Sequence, residues 1–469
     1  MKTEKVPPNV GNFIDSLREI GYSTEVAVAD LIDNSVTANS SVIKIYAVIK
    51  PQITFAILDN GKGMSEEALV EAMRLASMNR KDIRDKDDLG RFGLGLKTAS
   101  FSQCRKLTVL SKNNGIISSR QWDLDFIASK NEWLLISPDE NKNLPLYNEF
   151  EQLDKGTLVV WDEVDKIPPA NFSEMIDKLR NHLSLVFHKF LEGTVPGKKL
   201  KIYINNNPLV AFNPFNLNHP ATQQIGSEKI NIYESSVLVQ PFILPHHSKI
   251  SKQEYDLYAT EEGYSRSQGF YLYRQHRIII YGTWWGLHKA IDAHKLIRIR
   301  IDIPNTMDDH WGIDVKKSIA RPADGIKKDL RRIISQIVEK GARPYSSRGK
   351  RIEDRTTTHF WDIVPIQDYF RFSLNQKHPL YENLIGSLND EQMDNLTFYL
   401  KGIQAYLPLD AIQAKLQSDP HILKQETALT EEEVIQLAAQ LKKAGLSEEY
   451  LKELLKTEIF KYKPEILKQ

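Results

Sequence analysis

Residues 26–38 read Val26-Ala27-Val28-Ala29-Asp30-Leu31-Ile32-Asp33-Asn34-Ser35-Val36-Thr37-Ala38. Val26, Ala29, Ile32 and Val36 recur at helical spacing, which predicts a helix with one apolar face. Asp30, Asp33, Asn34 and Thr37 fall on or beside another face. Asp30 and Asn34 are one turn apart, so their side chains can point into the same space. A carboxylate and a carboxamide on one rigid face can hold a water and a divalent cation together. Alone, the pattern better describes a half-buried helix with a solvated polar side. Two stretches further along the chain favour the chemical reading.

The first is Asp59-Asn60-Gly61-Lys62-Gly63-Met64. It follows two predicted strands, Ser41–Lys50 and Gln52–Leu58. A carboxylate at the end of an apolar strand is partly desolvated and strongly prefers a donor partner, such as the exocyclic amine of a base. Gly61 and Gly63 remove side chains, so a flat ligand could approach the backbone. Asn60-Gly61 also suits a plain hairpin turn. Ser65-Glu66-Glu67 then reads as a helix N-terminus with Ser65 as cap, and the helix runs to about Ser77. Residues 79–89 are polar and without apolar period, which reads as a loop.

The second stretch is Gly90-Arg91-Phe92-Gly93-Leu94-Gly95-Leu96-Lys97-Thr98-Ala99-Ser100, glycines opening a helix. Backbone N–H groups at a helix start point outward, and the dipole there favours an anion such as a phosphate. Lys97 adds a point charge for the same anion. The spacing is that of neither a Walker loop nor a dinucleotide fingerprint. Ser23 or Thr24 can cap the helix of residues 26–38. Strands are expected at Leu107–Ser111, Ile116–Asp123, Trp133–Ile136 and Gly156–Asp162.

In order and combination these segments resemble the ATP-binding domain of the gyrase, Hsp90, histidine kinase and MutL (GHKL) superfamily. The resemblance implies an α+β chain that opens with a Bergerat-type α/β sandwich. It implies Asn34 as a ligand of magnesium bridging the phosphates of ATP, and Asp59 as acceptor of the adenine amine. Gly61, Gly63 and Met64 would lie near the base. Residues 76–89 would form a lid. Gly90, Arg91, Phe92, Gly93, Leu94, Gly95 and Lys97 would bind phosphates, and the Thr157 hydroxyl would support Asp59. Asp30 stands where most ATPases of this superfamily carry Glu as general base. It is one methylene shorter, so its water must sit closer or the helix must shift. Thr37 stands where many relatives have Asp.

Composition sets outer limits. A chain of 469 residues suggests two to four domains. With 41% hydrophobic and 26% charged residues it has an ordinary globular composition. A net charge of +1 means that any nucleic-acid surface must be local. Cys104 is the sole cysteine, which excludes disulfides and cysteine-rich zinc sites within the chain and favours an intracellular compartment. The first residues lack the apolar stretch of a signal peptide, and no apolar run reaches membrane-spanning length. The expectation is a cytoplasmic protein with no membrane segment.

The expected domains are 1–165 for ATP binding, 166–345, and 346–469. In the second, Phe172–Leu191 reads as a connecting helix, and Lys199–Asn205, Ile230–Leu244 and Ile297–Ile303 read as strands. Gln268–Tyr281 is strongly β, with Arg274–Arg277 as a basic hairpin. This block is similar to the ribosomal S5-like transducer domain of gyrase-, MutL- and Hsp90-like proteins. Its Tyr-Arg-Gln-His-Arg-Ile-Ile strand looks most like MORC-type members, including bacterial ones. The resemblance implies that a transducer lysine, Lys316 or Lys317, reaches the γ-phosphate as an electrostatic stabiliser. Lys317 is equally readable as a solvated loop residue, Lys316 less so.

A basic helix is expected from about Asp324 to Lys340, then a basic linker over Arg343–Arg355. With Lys327, Lys328, Arg331 and Arg332 this is the densest positive stretch, a candidate for DNA phosphates or else a solvated face. From Tyr381 the tail reads as short amphipathic helices, clearest at Leu429–Leu441 and Ser447–Leu455. The resemblance implies a slow ATPase that dimerises on ATP and clamps DNA or a partner protein such as a nuclease, loosely associated with antiphage or restriction-like systems. An Hsp90-like chaperone and a non-hydrolysing nucleotide sensor are the alternatives. A histidine kinase is disfavoured, because no His-bearing dimerisation helix precedes the ATP motifs.

Overall fold

A computed structural model describes the chain except at residues 1, 5, 7, 20, 50, 76–94, 233–234, 261–262, 315–318, 350–355, 367–368, 419–428 and 469. It divides into two compact units. The first comprises Met1–Pro245, Tyr258–Ile291 and Lys295–Ile337, and the second His246–Leu257, Asp292–His294 and Val338–Gln469.

The first unit opens with α1 (Val10–Arg18) and α2 (Thr24–Thr37). β1 (Val42–Ile49) and β2 (Ile53–Asp59) follow as an antiparallel pair, then α3 (Glu66–Met73) and α4 (Gly95–Phe101). Next come β3 (Cys104–Asn113), β4 (Ile116–Asp123), α5 (Leu124–Lys130), α6 (Tyr147–Glu151) and β5 (Gly156–Val164). After α7 (Phe172–Val186) and α8 (His188–Glu192), β6 (Lys201–Ile204) returns parallel to β1, and β7 (Asn207–Pro208) closes that edge. The result is a seven-stranded mixed sheet of order β4-β3-β5-β2-β1-β6-β7.

Its two faces are filled by strand alternation. Phe55, Ile57, Val159 and Trp161 point to the face covered by α1, α2, α4 and α7. Ala56, Leu58, Leu158 and Val160 point to the other, against Tyr147 and Phe150 of α6. Phe55 and Trp161 are both fully buried with ring centroids 5.8 Å apart. Truncating Phe55 to Ala would cost about 3–5 kcal/mol.

A second mixed sheet follows. It contains β8 (Gln223–Gln224), β9 (Glu228–Ile232), β10 (Ser235–Ile243), β11 (Gly269–Arg274), β12 (Arg277–Thr283) and β13 (Ile297–Ile303). Its order is β12-β11-β13-β10-β8, with β9 paired to β10 and β11 parallel to β13. Helices α9 (Lys252–Ala259) and α10 (Tyr264–Ser267) precede β11. Phe242, Tyr271, Tyr273 and Ile278 of the sheet pack with Phe215 and with Leu185 of α7, so this helix belongs to both cores. α11 (Asp324–Gly349) buries Ile326, Leu330, Ile333, Ile334 and Ile337 along one stripe.

In the second unit, β14 (Trp361–Ile366) and β15 (Tyr369–Leu374) form a hairpin. The helices are α12 (Pro379–Ile385), α13 (Asp390–Ala405), α14 (Leu409–Ser418), α15 (Glu431–Lys443), α16 (Glu448–Leu454) and α17 (Glu465–Lys468). Val434, Ala438, Leu441, Leu454, Phe460 and Leu467 make a small core. Capping boxes at Asn389/Gln392 and Thr430/Glu433 start α13 and α15. Among the described residues no helix is long and apolar enough to cross a membrane.

Several local expectations change. Residues 133–136 form no strand: Asn131 ends α5 in the left-handed region, and Trp133 packs edge-on against Phe13 and Trp122. Only Ile136 reaches the sheet, exchanging two main-chain bonds with Gln121. The 230–244 stretch is two strands, β9 and β10. α11 continues to Gly349, through part of the expected linker. The β14–β15 hairpin has no counterpart among the expectations, and Pro365 is tolerated because both strands of a two-stranded sheet are edges.

Candidate functional site

Helix α2 is buried nearly all round: Asp30 is 3% exposed and Asp33 1%. Asn34 is its one exposed residue. Ser23 occupies the N-cap position without a side-chain capping bond, and the Thr24 hydroxyl donates to Gln103 Oε1 instead. Asp30 Oδ2 accepts from the Tyr22 hydroxyl at 3.1 Å. Asp33 is not a solvated bystander. Arg277 Nε lies 2.9 Å from Asp33 Oδ1, and Arg277 Nη2 lies 3.7 Å from Asp30 Oδ1. Thr37 Oγ1 donates to the Asp33 carbonyl, a bond within the helix.

Asp59 ends β2, 6% exposed. Oδ1 accepts from the Gly61 N–H at 2.8 Å and Oδ2 from Ser35 Oγ at 2.8 Å. The Thr157 main-chain N–H, opposite Asp59 in the β2–β5 register, is a further donor. Burial nevertheless outweighs these donors and raises the Asp59 carboxyl above the usual carboxylate range. The Thr157 hydroxyl lies 3.3 Å from Ser111 Oγ, so its link to Asp59 runs through the main chain. Ser111, fully buried, also accepts from the Met64 N–H at 2.8 Å and donates to the Gly156 carbonyl at 3.2 Å. It thereby ties the turn after β2 to the β3–β5 ladder.

The glycines have reasons inside the protein. A Cβ on Gly61 would stand 2.8 Å from both Ala38 Cβ and Asp59 Oδ1. Gly63 has φ +66°, and a Cβ there would overlap the Lys112 carbonyl oxygen. Asn60 makes no simple hairpin turn: its Oδ1 accepts from Ser40 Oγ and from the Ser41 and Val42 N–H groups, each at 2.9 Å. Met64 packs at the edge of the main core.

Gly95 opens α4, and a Cβ there would lie 4.0 Å from Asp30 Oδ2, so this helix start and the Asp30 carboxylate are neighbours. Lys97 is 2% exposed, and its ammonium donates to the Ala72 carbonyl at 2.9 Å. Burial lowers it to about 8, against a smaller opposing pull from Glu71. Gly90, Arg91, Phe92, Gly93, Leu94, the proposed lid, Lys316 and Lys317 lie outside the described residues.

Asp30, Asn34, Asp59 and Gly95 thus gather in one region, from α2, β2 and α4. Asn34 and Asp59 are chemically able to take the ligands that the sequence suggested, whereas the Lys97 ammonium, expected at a phosphate, is turned inward onto the Ala72 carbonyl. Magnesium takes only one or two protein ligands and keeps waters and phosphate oxygens, which suits a single exposed carboxamide at Asn34. Asp59 is an acceptor held in place by protein donors. Sequence reasoning missed Ser35, Ser111, Tyr22 and the ion pair of Arg277. Ser35, next to Asn34, was the one with a local signal, being a hydroxyl on a helix otherwise apolar on that side.

Residues 22–157 match the family described as histidine kinase-, DNA gyrase B-, and HSP90-like ATPase. This segment is a GHKL-type ATPase domain, the class whose members bind ATP. Over 119 residues the chain is 29% identical to ATPase morc-1 of Caenorhabditis elegans, an alignment covering 25% of this chain and 14% of that protein. Over that stretch the chain is distantly similar to a MORC protein, and it spans only a small part of that relative's length.

Proposed function

We propose that this chain hydrolyses ATP slowly, through a Bergerat-type site followed by an S5-like transducer, and works as an ATP-gated dimeric clamp. The observation that carries the reading is Asp59, a buried carboxylate locked by Ser35, Gly61 and Thr157, in one domain with buried Asp30 and exposed Asn34. Asp59 would accept from the adenine amine. The Asn34 carboxamide would hold magnesium, which neutralises phosphate charge. Asp30 takes a proton from the water that attacks the γ-phosphorus, while the bond to the ADP oxygen breaks. The hydrogen bond from Tyr22 and the Arg277 charge at 3.7 Å restrain a side chain shorter than the usual Glu, which fits a low rate.

The clamped client in this reading is DNA, or a partner protein such as a nuclease, in an antiphage or restriction-like setting. Lys328 and Arg331 support DNA: both are exposed and one turn apart on α11. Lys327 and Arg332 contribute less, because they pair with Asp324 and with Glu228 and Asp329.

Phosphate release by wild type, Asp30→Asn and Asp30→Glu tests the ATPase. Turnover in wild type that vanishes in Asp30→Asn is expected; equal release in both overturns the base assignment. Light scattering with a non-hydrolysable ATP analogue tests the dimer, and salt-dependent retention on DNA tests the client. A second reading, a non-hydrolysing sensor, is favoured by the engagement of Asp30 with Tyr22 and Arg277. Nucleotide binding with no turnover would select it.

A further inference from the structure

Arg277 is a guanidinium of the second sheet buried against the helix that carries the base. It begins β12, directly after a turn in which Gln275 and His276 have φ of 47° and 69°. Arg277 is 3% exposed. On the other side of the turn, Arg274 grips Asp308 with two bonds of 2.7 and 2.8 Å, so the hairpin is anchored to the segment that follows β13. The Arg277 fork spans two carboxylates of α2, Asp33 at 2.9 Å and Asp30 at 3.7 Å, and its charge lies 5.7 Å from the ring centre of Phe187. A buried cation this costly to desolvate persists only with such partners.

The contacts around Asp30 are divided. Tyr22 donates to Oδ2, while Oδ1 faces Arg277. Asp33, three residues along, holds the guanidinium from the side. We infer that Arg277 is a positioning residue for the hydrolytic reaction: through Asp33 it sets where the Asp30 carboxylate points, and it links the second sheet to the base. Displacing the β11–β12 hairpin would therefore reorient Asp30. The physical need is specific to this chain, because a base one methylene short of Glu tolerates less misplacement, and an error of about 1 Å costs about 100-fold. This role rests on the assignment of Asp30 as general base.

The test is steady-state kinetics of the full chain with magnesium and ATP, beside equilibrium binding of a non-hydrolysable ATP analogue. Arg277→Gln is expected to lower kcat by about 10- to 100-fold while KM and the analogue Kd move less than about 3-fold. Arg277→Lys keeps the charge without the fork and should restore part of kcat. Asp33→Asn should also lower kcat, and the double variant Asp33→Asn/Arg277→Gln should be no slower than Arg277→Gln alone, because the two act through one contact. Should Arg277→Gln fail to fold, Arg277→Lys carries the test, with kcat lowered and binding retained.

An Arg277→Gln kcat within about 2-fold of wild type overturns the inference, as does a loss shared equally by kcat and analogue affinity. Additive losses in the double variant do the same. Failure of the underlying reading looks different: wild type and Asp30→Asn would then release phosphate equally, and the inference falls with it.

Discussion

Ser35 Oγ stands 2.8 Å from Asp59 Oδ2, joining the helix that carries Asp30 and Asn34 to the strand end that carries the buried carboxylate. The two ends of the candidate site are thus registered to each other by one side-chain bond. Removing a bond to a buried charged group costs about 1.5–3 kcal/mol. Ser35→Ala should weaken adenine-nucleotide binding by about 10-fold or more and lower the thermal midpoint. Calorimetric titration with ATP measures the first; unchanged affinity would show that Asp59 keeps its orientation without Ser35.

The Asp59 carboxyl titrates higher in the folded chain than in the unfolded one, because burial penalises its charge. Its contribution to stability is therefore fully present below the unfolded value and is lost as pH rises through the raised folded value. Asp59→Asn should abolish nucleotide binding and yet match or exceed wild type in thermal midpoint at pH 7. The advantage should shrink as pH falls towards pH 4 and Asp59 takes up its proton. Thermal scans at the two pH values decide it; a variant less stable at pH 7 than at pH 4, relative to wild type, contradicts the assignment.

Asn34 and Asp30 should separate by phenotype. Asn34→Ala is expected to weaken ATP binding in the presence of magnesium by about 10-fold and to change little in a chelator. Asp30→Asn should retain binding and lose turnover. Binding curves with and without magnesium read the difference. An Asn34→Ala defect of equal size in chelator would place the side chain on the nucleotide itself.

Gly63 sits at φ +66° against the Lys112 carbonyl. Gly63→Ala adds a Cβ where main chain already stands, in a conformation that L-residues rarely adopt. A loss of about 2 kcal/mol or more is expected, read as a lower thermal midpoint. Gly115 offers a control with equal sign of φ, +79°, but open space around it, so Gly115→Ala should cost less.

His182, on α7, is pushed down from 6.5 to about 3 by burial and then by the Arg277 charge. It stays neutral in the folded chain while the unfolded chain takes up a proton. Its contribution is present above pH 6.5 and is lost as pH falls through that value towards about 3. His182→Gln should flatten the fall in thermal midpoint between pH 7 and pH 5. An unchanged slope would exclude His182 as an acid-sensitive point.

Periodicity and residue chemistry were enough to locate α2, β1, β2, β3, β4, β5 and the β11–β12 hairpin. The same information singled out Asp30, Asn34 and Asp59, because each is a polar group at a helix turn or strand end within an apolar frame. The family likeness was legible too, since it lies in local motifs: residues 22–157 carry it. The 133–136 stretch misled, because four large apolar residues in a row satisfy a strand pattern as well as an aromatic packing site.

What the sequence by itself determined is the inventory: which segments are helix or strand, and which polar groups are placed to do chemistry. What only the tertiary structure decided is their pairing. Ser35 meets Asp59 24 positions away, and Arg277 of the second sheet meets Asp30 and Asp33 of α2. Gly63 is needed because β3 passes beside it. Such contacts are set by strand register and by the seating of α2 and α7 on the sheets, and no local window carries that information. A hydrogen bond or ion pair is short-ranged, so its partner is fixed by the fold rather than by proximity in the chain.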